Sequence, residues 1–85
     1  MTAEQIEYYL NGNRLDSSRS STVFFRKRNP LEGIFIQAPD YMELKKKNFW
    51  RFVASSRLDA YRQSRDISLS RIFNGDEFTR LSATK

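Results

Sequence analysis

The residues best equipped for chemistry in this sequence are its cations and its rings, and the two are interleaved. Arg26-Lys27-Arg28 follows Val23-Phe24-Phe25, and Lys45-Lys46-Lys47 runs into Phe49-Trp50-Arg51-Phe52. Arg57, Arg62 and Arg65 come next along the chain. Lys and Arg release counterions from a phosphate backbone, and an exposed ring stacked on a base contributes about 1–3 kcal/mol. The expected nucleic-acid surface is therefore Arg26, Lys27, Arg28, Lys45, Lys46, Lys47, Trp50, Arg51, Arg57, Arg62 and Arg65. Little sequence specificity is expected of it, and no RNP, GXXG or zinc-finger pattern adds support to the reading. Trp50 is the pivotal ring. On a strand, Phe49 and Arg51 point to the face opposite Trp50. Either the sheet is covered on both faces, or one of these rings is exposed. The plainer reading puts Phe24, Phe35, Phe49 and Phe52 in the core and makes the lysine run a solvated helix end, because a small domain needs its large apolar side chains inside.

The charge distribution supports a localised patch. The chain carries 15 basic and 10 acidic residues, net +5, and ten of the basic ones are Arg. Between Arg14 and Arg65 there are twelve basic residues against five acidic ones (Asp16, Glu32, Asp40, Glu43 and Asp59). The N-terminal segment is acidic and the C-terminal one balanced, so the positive field gathers in the middle.

What is missing narrows the chemistry further. The 85 residues include no Cys and no His. That excludes disulfides, thiolate ligands, cysteine nucleophiles and the usual general base near neutral pH. Zinc, copper and iron sites rest mainly on the same two residue types. No cofactor is expected, and no enzymatic activity. No apolar run approaches the length of about 18–20 residues that spans a bilayer. The start, Met1-Thr2-Ala3-Glu4, does not have the pattern of a signal peptide, and together with the missing Cys this leads us to expect a cytoplasmic protein.

Other candidate motifs have structural explanations. Pro39-Asp40 with Glu43-Leu44-Lys45 is superficially similar to the Pro-Asp…Glu-x-Lys signature of metal-dependent nucleases. In that signature the two parts sit on separate strands, whereas here they are three residues apart and both acids suit a helix start. Asp66, Asp76 and Glu77 could gather around magnesium, but the latter two follow Asn74-Gly75 and read as turn residues. Ser17, Ser18, Ser20, Ser21 and Thr22, with Arg14 and Arg19 among them, form a polar loop open to phosphorylation. There is no P-loop, G-x-G-x-x-G or G-x-S-x-G.

The elements that must position these residues follow from local pattern. Thr2-Ala3-Glu4-Gln5 resembles a capping box with Ile6, Tyr9 and Leu10 on one helical face, although Tyr8 to Asn13 could also enter a hairpin turn; we take the helix. Residues 22–26 and 33–37 read as a hairpin around Asn29-Pro30-Leu31-Glu32-Gly33, with Pro and Gly as the turn signals. A short helix over 41–47 starts at an Asp40 cap and stops at a left-handed Asn48. Residues 49–53 form a strand, and Ser56 caps a further helix with Leu58 and Tyr61 inward. Asn74-Gly75 predicts a hairpin across 67–81, with a short helix over 69–73 as the alternative. The expectation is one α+β domain over residues 1–85, in the order (α)ββαβαββ, with an antiparallel sheet of four to five strands. A second functional reading is a protein-interaction module for an acidic partner. In it an exposed sheet edge at Thr22–Lys27 permits strand addition or homodimerisation.

Overall fold

Helix α1 (Ala3–Asn13) begins on the expected capping box. The Thr2 amide donates to Gln5 Oε1 at 3.0 Å, and the Gln5 amide donates to Thr2 Oγ1 at 3.2 Å. These reciprocal bonds satisfy two of the amides a helix start leaves open. The helix buries Ile6 and Leu10, so the hairpin alternative does not hold. This computed structural model describes residues 1–13 and 20–84. The first part of the serine-rich loop, including Arg14, Ser17, Ser18 and Arg19, lies outside the described residues. Ser20 to Thr22 belong to a strand.

That strand, β1 (Ser20–Phe25), pairs antiparallel with β2 (Leu31–Phe35), with Val23 opposite Leu31. β2 starts two residues before the expected position and draws Gly33 into the sheet. A Cβ on Gly33 would collide with the Val53 carbonyl oxygen and lie 2.9 Å from Ala54 Cα, so glycine is what lets the next strand approach. Helix α2 (Tyr41–Lys46) stops where Asn48 takes φ 61°, as expected. Strand β3 (Phe49–Ala54) follows and pairs with β2. A 3-10 turn at Ser55–Arg57 leads into α3 (Leu58–Ser64). Two expected caps are corrected here. Asp40 makes no side-chain bond to the start of α2, and the residue preceding α3 is Arg57 rather than Ser56.

The tail contains β4 (Arg71–Asn74) and β5 (Phe78–Thr84), joined by a 3-10 turn at Gly75–Glu77. The expected hairpin is not formed. Consecutive in sequence, the two strands lie at opposite edges of a five-stranded antiparallel sheet ordered β4-β3-β2-β1-β5. A three-residue link can join opposite edges only if the sheet curls. In a flat sheet β1 and β4 would stand about 14 Å apart, three strand spacings. The rings of Phe25 on β1 and Phe73 on β4 instead meet at 5.3 Å between centroids. Gly75 has no positive φ, so the asparagine–glycine pair is not used as a hairpin turn here. This order also corrects the expected free edge at Thr22–Lys27: β1 is flanked by β2 and β5.

The curled sheet has a core on each face. The concave side encloses Val23, Phe35, Trp50, Phe52 and Phe78, closed by Ile6 and Leu10 of α1. The other side carries Ile34, Ile36 and Val53 under Leu58 and Tyr61 of α3. Among the described residues the architecture is the α+β domain with five strands and three helices that the residue pattern predicts. No helix among the described residues is long and apolar enough to cross a membrane.

Candidate binding groove

Covering both faces decides the position of Trp50. It is 2% exposed, and its indole Nε1 donates to Asn48 Oδ1 at 2.8 Å. Tyr41 packs edge-on against it at 6.0 Å. Trp50 is therefore a core residue, and its expected place in a stacking surface is corrected. Of the other rings assigned to the core, Phe35 and Phe52 are fully inside, while Phe24 and Phe49 are half-buried.

Two expected cations are also committed to the fold. Arg51 forks onto Asp40, Nε to Oδ1 at 3.0 Å and Nη2 to Oδ2 at 2.7 Å, and Nη1 donates to Ser70 Oγ at 3.2 Å. Paired N–H donors matched to a carboxylate are the strong form of ion pair. The Arg51 hydrogen bond holds the Asp40 carboxyl below its ordinary value, and the same bond holds the Arg51 guanidinium above its own. This pair ties the start of α2 to β3, which explains why Asp40 does not cap. Lys45 pairs with Glu7 of α1, and that bond raises its pKa. Lys45 also lies 5.8 Å from the Tyr41 ring. Lys46 and Lys47 are exposed at the end of α2. Arg57, Arg62 and Arg65 are exposed on or beside α3, with Arg65 6.0 Å from the Tyr61 ring. The expected eleven-residue surface is thus distributed over separate elements, and Trp50, Arg51 and Lys45 are taken up by packing or pairing.

Sheet curvature assembles a different group. The turn after β1 lies against the edge strand β4, and together they line a groove of about 460 Å³. Its walls include Lys27, Arg28 and Arg71, its floor Phe25 and Phe73, and Glu77 is the one acid among its lining residues. The Arg28 guanidinium stands 5.4 Å from the Phe25 ring and 5.6 Å from the Phe73 ring, in the range of cation–π attraction. Behind it, Arg26 fixes the turn. Its amide donates to the Glu77 carbonyl at 3.0 Å, and its Nε donates to the Asp76 carbonyl at 3.0 Å.

Lys27 and Arg71 have no ion pair or side-chain hydrogen bond among the described residues. Three cations around an apolar floor suit an anionic ligand with apolar parts. Sequence reading found Lys27 and Arg28 but missed Arg71, Ile72 and Phe73. Arg71 lies outside the basic stretch, and no local signal places it beside residues more than forty positions earlier.

Two of the three carboxylates weighed for metal binding, Asp66 and Asp76, are engaged in structural bonds, and Glu77 lines the groove. Asp66 accepts from the Ser68 amide at 2.9 Å, its pKa is lowered by hydrogen bonding from the Ser68 side chain and then from that amide, and Asp76 accepts from Asn48 Nδ2 at 3.0 Å. No group of three or more acidic, His or Cys side chains is arranged to hold a metal among the described residues. No family model, no curated protein and no solved structure matches this chain.

Proposed function

We propose that this chain is a non-enzymatic protein-interaction module that takes an extended acidic segment of a partner protein in the groove between the β1–β2 turn and β4. The observation that carries this reading is the lining itself: Lys27, Arg28 and Arg71 around Phe25 and Phe73, beside a sheet edge. Charge complementarity of this kind favours partner choice and encounter rate more than raw affinity, so moderate and salt-sensitive binding is expected. The absence of His and Cys from the chain, with Asp40 and Asp66 engaged in structural bonds, supports a binding role over catalysis.

Nucleic acid is the rival ligand, and net charge +5 favours it. Less supports it once Trp50 is buried and Arg51 and Lys45 are neutralised. A phosphate backbone needs a run of unpaired cations and gains from exposed rings. The test is a titration of labelled acidic peptide, single-stranded DNA, duplex DNA and RNA at low and moderate salt. Peptide binding that weakens with salt and is lost in a combined Lys27, Arg28 and Arg71 to Ala variant supports the module. Tight binding of nucleic acid with none of the peptide overturns it in favour of the rival.

A further inference from the structure

The groove follows the edge of β4 rather than one face of the sheet. Successive side chains on a strand point to opposite faces. Yet Arg71, Ile72, Phe73 and Asn74, all four residues of β4, line the groove. Only a channel running alongside the strand meets consecutive residues, and alongside an edge strand lies its open backbone.

Which backbone groups are open follows from hydrogen-bond alternation. The Ile36 amide donates to the Arg51 carbonyl at 3.2 Å, so Arg51 turns its backbone towards β2. In an antiparallel ladder the next residues turn theirs the other way. Trp50 and Phe52 therefore face β4, where their register partners are Phe73 and Arg71. The Gly75 amide, donating to the Asn48 carbonyl at 2.7 Å, continues the same alternation. Ile72 sits opposite Arg51, and its N–H and C=O point away from β3. Its side chain is also among the exposed large apolar groups, at 46%.

Resting on the reading above, we infer that the partner's acidic segment binds by strand addition to β4, with main-chain hydrogen bonds to Ile72. The four-residue edge receives a stretch of about 13 Å, roughly four residues of the partner. An apolar partner side chain lies over Ile72, and acidic ones reach Lys27, Arg28 and Arg71. A second copy of this chain is a poor occupant. A two-fold contact sets each patch against itself, bringing Arg71 and its neighbouring cations against their own copies.

The experiment uses the full chain and a roughly ten-residue peptide of alternating Glu and Val, within the normal length of a strand. Amide exchange is followed by NMR with and without peptide. The Ile72 amide is expected to slow at least about tenfold on binding, while that of Phe73, already paired to β3, stays unchanged. N-methylating the peptide one residue at a time should weaken binding at alternate positions only. Binding without protection of Ile72, or with no alternation, overturns strand addition and leaves the acidic-peptide module standing. No peptide binding at low salt overturns the module itself. Light scattering that shows a dimer with Ile72 protected in the absence of peptide overturns the choice of occupant.

Discussion

Two groups of cations lie on and beside this sheet, in opposite surroundings. Arg51 and Lys45 each meet a carboxylate from another element, Asp40 and Glu7, and their charge is consumed in holding α2 against β3 and α1. Lys27, Arg28 and Arg71 line the groove with Phe25, Phe73 and Glu77, and among the described residues none of the three is ion-paired. Chemically the two groups are alike. What differs is whether folding brings a carboxylate into pairing distance: it does for Arg51 and Lys45, and among the described residues it does not for Lys27, Arg28 and Arg71, the cations on which the proposed module rests.

The contrast can be broken from either side. The largest effect belongs to Trp50, which nucleic-acid stacking would require at the surface. Trp50→Ala should cost about 3–5 kcal/mol in urea denaturation, as removal of a buried aromatic does. Trp50→Phe should cost about 1–2 kcal/mol through the lost bond to Asn48. It should leave peptide affinity unchanged, and a large loss of affinity in the folded Phe variant would return Trp50 to the binding surface.

Combined replacement of Lys27, Arg28 and Arg71 by Ala should do the reverse. Peptide affinity falls about tenfold or more, equivalent to at least about 1.4 kcal/mol, while the urea midpoint hardly moves. A smaller effect separates Asp40. Its folded pKa lies below the ordinary 3.8, so the stability it adds is present above that value and fades as pH falls through the folded one. Acid titration of Asp40→Asn, monitored by circular dichroism, should show a flatter loss of stability at low pH than the parent and unchanged peptide binding at neutral pH. The smallest effect is expected at Lys46 and Lys47, exposed and not among the residues that line the groove. Their replacement by Ala should stay within about 0.5 kcal/mol in stability and leave affinity intact.

Legibility in the sequence followed distance along the chain. The capping box at Thr2–Gln5, the left-handed stop at Asn48 and the inward Leu58 and Tyr61 all rest on neighbours within a few residues, and all appear as expected. The Asn74-Gly75 signal misled because a local turn preference yielded to sheet pairing. β4 found its partner in β3 and β5 found its partner in β1, which left a 3-10 link between them. The site was half legible. Lys27 and Arg28 stood out by charge, whereas Arg71 and Ile72 carried no mark of their own.

The residue order alone determined the element types, the α+β class, the excess of positive charge and the absence of His and Cys chemistry. These depend on period, capping and composition, which are properties of short stretches or of simple counts. Tertiary structure alone decided that Trp50 is inside, that Asp40 serves Arg51 rather than its helix, and that β4 rather than β1 is an edge. Each of those outcomes depends on which distant segments pack together, and a curled sheet covered on both faces leaves the Trp50 ring no route to solvent.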